Sequence, residues 1–179
     1  MSVNSIFDQM LNVIDEQNNI VDRLPTSLVH QQGLPHQVSA ILIQNHLKQL
    51  LIPQLTHPNQ PGDLFHSAEG HVKPDDETYE KTAIRQLFQK TKLVCSTDKL
   101  NRLGHYWLKK DFPDHKERER FEIFIVKQFN CKGDLLMDKN CNPMWLTIDE
   151  LLEIYKHDKS KLSYPLLLTI KKFFNLQLQ

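Results

Sequence analysis

The sequence predicts an α+β layered domain, with residues 1–179 forming a single unit. Two observations carry this. Strand patterns lead, with one amphipathic helix interrupting them over 75–91. Two further helical patterns close the chain after Thr147. In order along the chain, the segment from Leu11 to Asp22 reads as two short strands around a turn at Asn18-Asn19. A short helical turn from Thr26 follows, ended by Gly33 and Pro35. Residues 37–45 (QVSAILIQN) and 49–54 look like a strand pair, and 56–63 (THPNQPGD) has the Pro, Asn and Gly of an irregular loop. Over 75–91, Tyr79, Ala83, Ile84, Leu87 and Phe88 recur at helical spacing, with Asp75 or Asp76 as the cap after Pro74. Strands are expected near 93–96, 103–109 and 120–129, the last (RFEIFIVKQF) giving the strongest strand signal. Thr147 and Glu150 make a capping box for a helix over 148–156. A final helix begins near Pro165 and buries Leu166, Leu167, Ile170, Phe173 and Phe174, leaving Lys171 and Lys172 outside.

Bulk properties narrow the function classes. A chain of 179 residues buries about two thirds of its unfolded surface on folding, enough for a real core. Lys plus Arg (22) balance Asp plus Glu (22), so no global field attracts nucleic acid or an anionic membrane. The cysteines Cys95, Cys131 and Cys141 are odd in number and widely spaced, which argues against a disulfide framework or a zinc ribbon and for a reducing compartment. No apolar run approaches the roughly 18 residues that span a bilayer. The first residues, with Asp8 and no basic start, do not resemble a signal peptide. The expected location is cytoplasmic.

One segment carries chemistry. The stretch Gly70-His-Val-Lys-Pro-Asp-Asp-Glu77, seven residues, then Arg85-Gln-Leu87-Phe-Gln-Lys-Thr-Lys-Leu93 resembles the Nudix box. That pattern is Gly, five residues, Glu, seven residues, Arg-Glu-apolar-x-Glu-Glu-x-Gly-apolar. Gly70, Glu77, Arg85, Leu87 and Leu93 fit, with one extra residue between Gly70 and Glu77, whereas Gln86, Gln89, Lys90 and Lys92 do not. Further stretches resemble the Nudix branch related to isopentenyl diphosphate isomerase. His30-Gln-Gln-Gly-Leu-Pro-His36 is similar to its His-x-x-Gly-Leu-x-His segment. Pro61-Gly-Asp-Leu-Phe-His-Ser67-Ala-Glu-Gly70-His71-Val72 is similar to its Pro-Gly-x-Trp-x-x-Ser-Ala-Gly-Gly-His-Val. Trp145-Leu-Thr-Ile-Asp-Glu-Leu-Leu and the Pro-initiated last helix fall where that branch has theirs.

The resemblance implies a Nudix fold, an α+β fold with a mixed β-sheet sandwiched between helices, and an enzyme that cuts a diphosphate linkage with water, using Mg or Mn as cofactor. Positions 86, 89 and 90 share one helix face, where glutamates would hold the dication. Gln86 and Gln89 bring no charge. Lys90 would oppose a unit charge about 4 Å away by about 4 kcal/mol at an effective dielectric of ~20. The box therefore lacks what ordinary hydrolysis needs, and without activity no cofactor is expected. Glu77 and Arg85 are candidates for catalysis and substrate binding, the plainer reading being a pair that ties the loop to the helix. Glu122, alternating with Phe121 and Ile123, is either a solvent-facing strand residue or a metal ligand and base. The isomerase holds its metal with three histidines and two glutamates, and the resemblance places His30, His36, His71 and Glu122 at or near those positions. Glu69 stands where the isomerase has its essential cysteine, a candidate acid. Lys90 and Lys109 are candidate phosphate ligands. Trp107 and Tyr106 read as core or as a stacking surface, and His66 and His105 carry no assigned role.

Three functions compete on these residues. One is a divergent hydrolase of a small molecule containing a diphosphate linkage. Another is a catalytically silent Nudix module that binds such a ligand, a protein partner or a second copy of itself. The third is an isomerase-like enzyme with Glu69 as its acid. Nucleic acid and membrane are expected in none of them.

Overall fold

The computed structural model describes residues 9–55, 63–127, 135–137 and 141–174. Its elements in chain order are β1 (Met10–Ile14), β2 (Ile20–Pro25), α1 (Thr26–Gln32), β3 (His36–Ile43), β4 (Leu50–Leu55), β5 (Ala68–His71) and α2 (Tyr79–Thr91). There follow β6 (Asn101–Asp111), β7 (Lys116–Val126), β8 (Cys141–Leu146), α3 (Ile148–His157) and α4 (Tyr164–Thr169), which runs on as a π turn over Ile170–Phe174.

β3 is the spine of the molecule, and all eight of its residues are buried. One edge runs parallel to β7, and the other pairs antiparallel with β5 and, at Val13↔His36, with β1. The main sheet has the order β2-β1-β3-β7-β6, with β5 also paired to β3. Burial on both faces explains why QVSAILI is nearly continuous rather than alternating. On one face, Ala83 and Leu87 of α2 pack against Ile41, Ile43, Phe124 and Val126. On the other, Leu166 and Ile170 pack against Leu42 and Ile125, and Leu168 and Phe173 rest on Ala40 and Ile123. Each fully buried Leu, Ile or Phe contributes roughly 1.5–3 kcal/mol. The sheet is thus sandwiched between helices, as the resemblance implied.

Several local expectations hold. The β1–β2 hairpin turns through Asn18 at φ 68°. α1 ends at Gly33, whose φ of 66° is left-handed and where a Cβ would meet the Lys116 stem at 2.9 Å. Glycine is therefore required there on two counts. Thr147 and Glu150 form the capping box of α3.

Others need correction. Residues 37–45 and 49–54 are strands but not a ladder: apart from the bridge Gln44↔Leu50 they separate, and β4 pairs with β8 in a second sheet. Both edges of β3 are already taken, so β4 has nowhere to join. The cap of α2 is Thr78, whose hydroxyl accepts from the Lys81 amide, while Pro74–Asp76 form a 3-10 turn before it. The strand expected near 93–96 is a single bridge position at Val94. Of the five residues expected to be buried in the last helix, Leu166 and Ile170 are buried outright, while Leu167, Phe173 and Phe174 are half-buried. The loop expectation for 56–62, the end of the strand expected to reach 129, and Cys131 lie outside the described residues. Neither Cys95 nor Cys141 is in a disulfide among the described residues. No described helix is long and apolar enough to cross a membrane.

Candidate metal centre and cleft

Strand register builds the site. In the parallel pair His36 stands opposite Glu119, and in the antiparallel pair Val38 stands opposite His71. Side chains alternate along a strand, so His36, Val38, His71, Glu119 and Phe121 share one face. His30, in the last turn of α1, is brought over the same spot because Gly33 reverses the chain directly into β3. One ligand atom each from His30, His36, His71 and Glu119 lies within 4.8 Å of the others. His30 Nε2 is 3.3 Å from His36 Nε2. Glu119 Oε1 is 3.5 Å from His36 Nε2 and 3.4 Å from His71 Nε2.

These residues fit a divalent metal. Metal–ligand bonds of about 2.1 Å at tetrahedral angles place ligand atoms about 3.4 Å apart, matching all three separations. His36 Nδ1 lies 3.0 Å from the Leu34 carbonyl; donating there leaves the Nε2 lone pair for a metal. Burial, reinforced by His36 and His71, pushes His30 down to about 4, so its ring is neutral near pH 7. Burial alone would raise Glu119, but His36 and His71 beside it prevail and hold it at about 2. Beside it Glu117 Oε2 is buried, accepts no hydrogen bond from the described residues and lies 3.6 Å from His30 Nε2. Burial and the Glu119 charge push the Glu117 carboxyl up. Imidazoles with carboxylates suit manganese or zinc better than magnesium, which prefers oxygen alone.

His71 and Glu119 of the group line a cleft of about 880 Å³. Phe65, Leu108, Phe121 and Pro165 line it, with Glu69, Lys90, Lys110 and His115 among its polar residues. Glu69 Oε2 is 2.5 Å from His66 Nδ1, and His66 Nε2 is 2.7 Å from Thr169 Oγ1. His66, buried and given no role by its sequence context, thus holds Glu69 at the cleft wall. Lys110 lies over the Phe112 and Tyr164 rings, 4.6 and 5.0 Å from their centroids. Tyr106 is core, stacked on Phe121 with its hydroxyl donating to the Pro165 carbonyl at 2.8 Å.

Other expected site residues lie elsewhere. Glu122 is on the opposite face of β7, buried between Arg102 and Arg120, with Arg120 Nη1 2.9 Å from Oε2. Glu119, an odd number of residues away, takes the place expected for Glu122 in the ligand group. Glu77 is exposed and pairs with Lys81. Asp76, separated from Gly70 by five residues, binds Arg85 instead: Nε to Oδ1 at 2.7 Å and Nη2 to Oδ2 at 2.5 Å. Arg85 also reaches the His71 carbonyl at 3.0 Å. That locks Arg85 between loop and helix rather than presenting it to a ligand. Gln86 is spent similarly: in the amide orientation that satisfies both ends it bridges the Glu69 carbonyl (3.3 Å) and Arg85 Nη1 (3.0 Å). Gln89 accepts from Arg85 at 3.2 Å. Of the three box positions on that helix face, Lys90 lines the cleft. Lys109 is exposed and paired in register with Arg118 on the far face, so Lys110 is the lysine of this strand at the cleft.

A loop-helix-loop laid against a mixed sheet that is covered by helices on both faces, beside a cleft with candidate metal ligands, defines a class of α+β domain. The NUDIX domain family matches residues 34–167, and the chain belongs to this family. Solved structures agree on the fold. DR0079 from Deinococcus radiodurans is 15% identical with a TM-score of 0.69, covering 93% of this chain and 99% of its own. The MutT protein from Methanosarcina mazei Go1 is 13% identical with a TM-score of 0.57, covering 81% and 96%. The E. coli ORF135 protein is 16% identical with a TM-score of 0.58, covering 80% and 91%. No curated protein sequence matches.

Proposed function

We propose that this Nudix protein binds a small molecule containing a diphosphate linkage in the cleft, with a transition metal held by His30, His36, His71 and Glu119 rather than by the box. The carrying observation is the convergence of those four ligand atoms within 4.8 Å on four different elements. A metal there would neutralise phosphate charge and act as a Lewis acid. Lys90 and Lys110 give the cleft fixed positive charge for phosphate oxygens, and its apolar walls suit the rest of the ligand. The box helix contributes structure: Arg85, Gln86 and Gln89 bond to one another and to the loop.

A second reading is favoured by Glu69. It lines the same cleft as Glu119 and is held by His66, so two carboxylates can face one ligand. That is the layout for moving a proton off one carbon and onto another, as an isomerase similar to isopentenyl diphosphate isomerase would. The test is turnover of nucleotide, sugar and isoprenoid diphosphates with Mn, Zn or no metal, reading both phosphate release and mass-conserving products. His71→Ala and Glu69→Gln run in parallel. Metal-dependent phosphate release lost in His71→Ala supports a hydrolase. A mass-conserving product lost in Glu69→Gln supports the isomerase reading. Equal ligand binding by wild type and His71→Ala, with and without metal, would remove the metal from the proposal.

A further inference from the structure

A second cavity, of about 460 Å³, lies on the opposite side of the sheet from the histidine group, between the β1–β2 hairpin and the turn that leads into α2. Strand parity puts it there. Val13, His36 and His71 share the metal face, so Asn12, Gln37 and Val72, each one residue away, turn to the other and line this cavity. Asn12 is 4% exposed, and its Oδ1 is buried and accepts no hydrogen bond from the described residues. An unmet buried carbonyl is costly, and a β-branched residue would suit the strand better. Stability alone therefore does not account for an asparagine here. The surroundings of Asn12 are held in place. Gln37 Nε2 and the Tyr79 hydroxyl both donate to Asn18 Oδ1, at 3.1 and 2.7 Å, which fixes that amide and leaves its Nδ2 as a donor. Ile20, Val72 and Pro74 supply apolar wall. Of the charged lining residues, Arg23 is set against Glu77 and Glu80, so no surplus positive charge selects an anion.

We propose that this cavity binds an uncharged purine nucleoside of the adenine type, whose exocyclic amino group donates to Asn12 Oδ1. A carboxamide matches that edge of adenine, accepting from the amino group and donating to the ring nitrogen beside it. The apolar walls take the faces of the flat base, and the volume falls within the roughly 300–1,000 Å³ of small-molecule sites. Glu80, half-buried at the start of α2, is an acceptor for ribose hydroxyls, a role acidic residues fill in dinucleotide sites. The proposal is independent of the metal reading, because the two sites lie on opposite faces of the sheet.

The test is calorimetric titration of the metal-stripped full-length chain with adenosine, inosine and adenosine monophosphate. Inosine carries a carbonyl where adenosine has its amino group. Adenosine should bind, and inosine should bind about 10- to 100-fold more weakly, because Oδ1 then faces another acceptor. The monophosphate should bind no more tightly than adenosine. Asn12→Val should abolish adenosine binding while the melting temperature of the ligand-free protein holds or rises, since the unmet acceptor is gone and strand propensity increases. Equal affinity for adenosine and inosine, or a wild type that binds neither, would overturn the proposal whether or not Asn12→Val folds. Much tighter binding of the monophosphate would make this an anion site and overturn the nucleoside. A clear fall in the ligand-free melting temperature of Asn12→Val would give Asn12 a structural role and overturn it likewise. Adenosine binding kept by Asn12→Val and lost in His71→Ala would put the nucleoside in the metal cleft instead.

Discussion

Asp76 and Glu77 are neighbours with opposite roles. Asp76 is buried and grips Arg85 through both carboxylate oxygens, with Thr82 donating to one of them at 2.8 Å. Asp76→Ala leaves a partly buried guanidinium without its partner, so about 3–5 kcal/mol of stability should be lost in urea unfolding. Burial alone would raise the Asp76 carboxyl, but Arg85, the Lys73 amide and Thr82 override it and hold it below its usual range. A depressed folded pKa contributes stability that is present above the unfolded value of about 3.9 and lost as pH falls through the folded one. The gap in melting temperature between wild type and Asp76→Asn should accordingly close below about pH 4; a gap constant down to pH 2 would refute it. Glu77 is exposed at φ 62°, and the Thr78 amide donates to the Asp76 carbonyl across it at 2.7 Å, a strained γ-turn that absorbs the extra residue of the box. Glu77→Gly should stabilise the protein by about 1 kcal/mol, whereas Glu77→Gln should change it by less than about 0.5 kcal/mol. Residue type drew the pairing with Arg85 to Glu77, although the five-residue spacing from Gly70 already pointed to Asp76. Glu122 failed for another reason. Strand parity separates Glu117 and Glu119 from Glu122, but which parity meets the histidines depends on the register with His36, which lies more than eighty residues away in the chain.

Elements were legible where local chemistry decides them and obscure where partners do. The α2 stripe through Tyr79, Ala83, Ile84 and Leu87, the Gly33 stop and the Thr147–Glu150 box are local, and they stand as expected, whereas Phe88, expected on the stripe, is exposed. β4 was placed beside β3 because the two are adjacent in sequence, but the competition for the edges of β3 is won by residues far along the chain. β8 escaped notice because Pro143 argues against a strand; it is tolerated in a two-stranded sheet, opposite Pro53. β5 is four residues long and mostly polar, which leaves little periodicity to read. β6 carries a further device, a register shift between Arg102 and Gly104, where Gly104 adopts φ 141° and its hydrogen faces the Phe173 ring. A Cβ there would lie 3.0 Å from Phe173 Cε1. Gly104→Ala combines overpacking with backbone strain, so urea unfolding should show a loss of about 1–3 kcal/mol. An unchanged midpoint would mean that Phe173 yields freely.

At the scale of the whole molecule the candidate centre and the arginine-bound glutamate occupy opposite faces of β7, and this separation makes their roles distinguishable. His30, His36, His71 and Glu119 come from α1, β3, β5 and β7, so a metal bound there ties four elements together and binds only the folded chain. Zinc or manganese at about one hundred times its dissociation constant should stabilise the stripped protein by about 2.7 kcal/mol. For a domain of this size, each kcal/mol raises the melting temperature by roughly 2–4 °C. Glu122 contributes to folding through Arg120, a nearly buried cation whose pairing it completes. Glu122→Gln should therefore lower the melting temperature of the metal-free protein yet keep the full metal-induced rise. His71, partly exposed beside Glu119, should show the reverse: His71→Ala changes the metal-free melting temperature little and abolishes the rise. Thermal scans of wild type and both variants, with and without metal, decide between the two carboxylates. A rise retained in His71→Ala and lost in Glu122→Gln would move the metal to the opposite face of β7, beside Glu122.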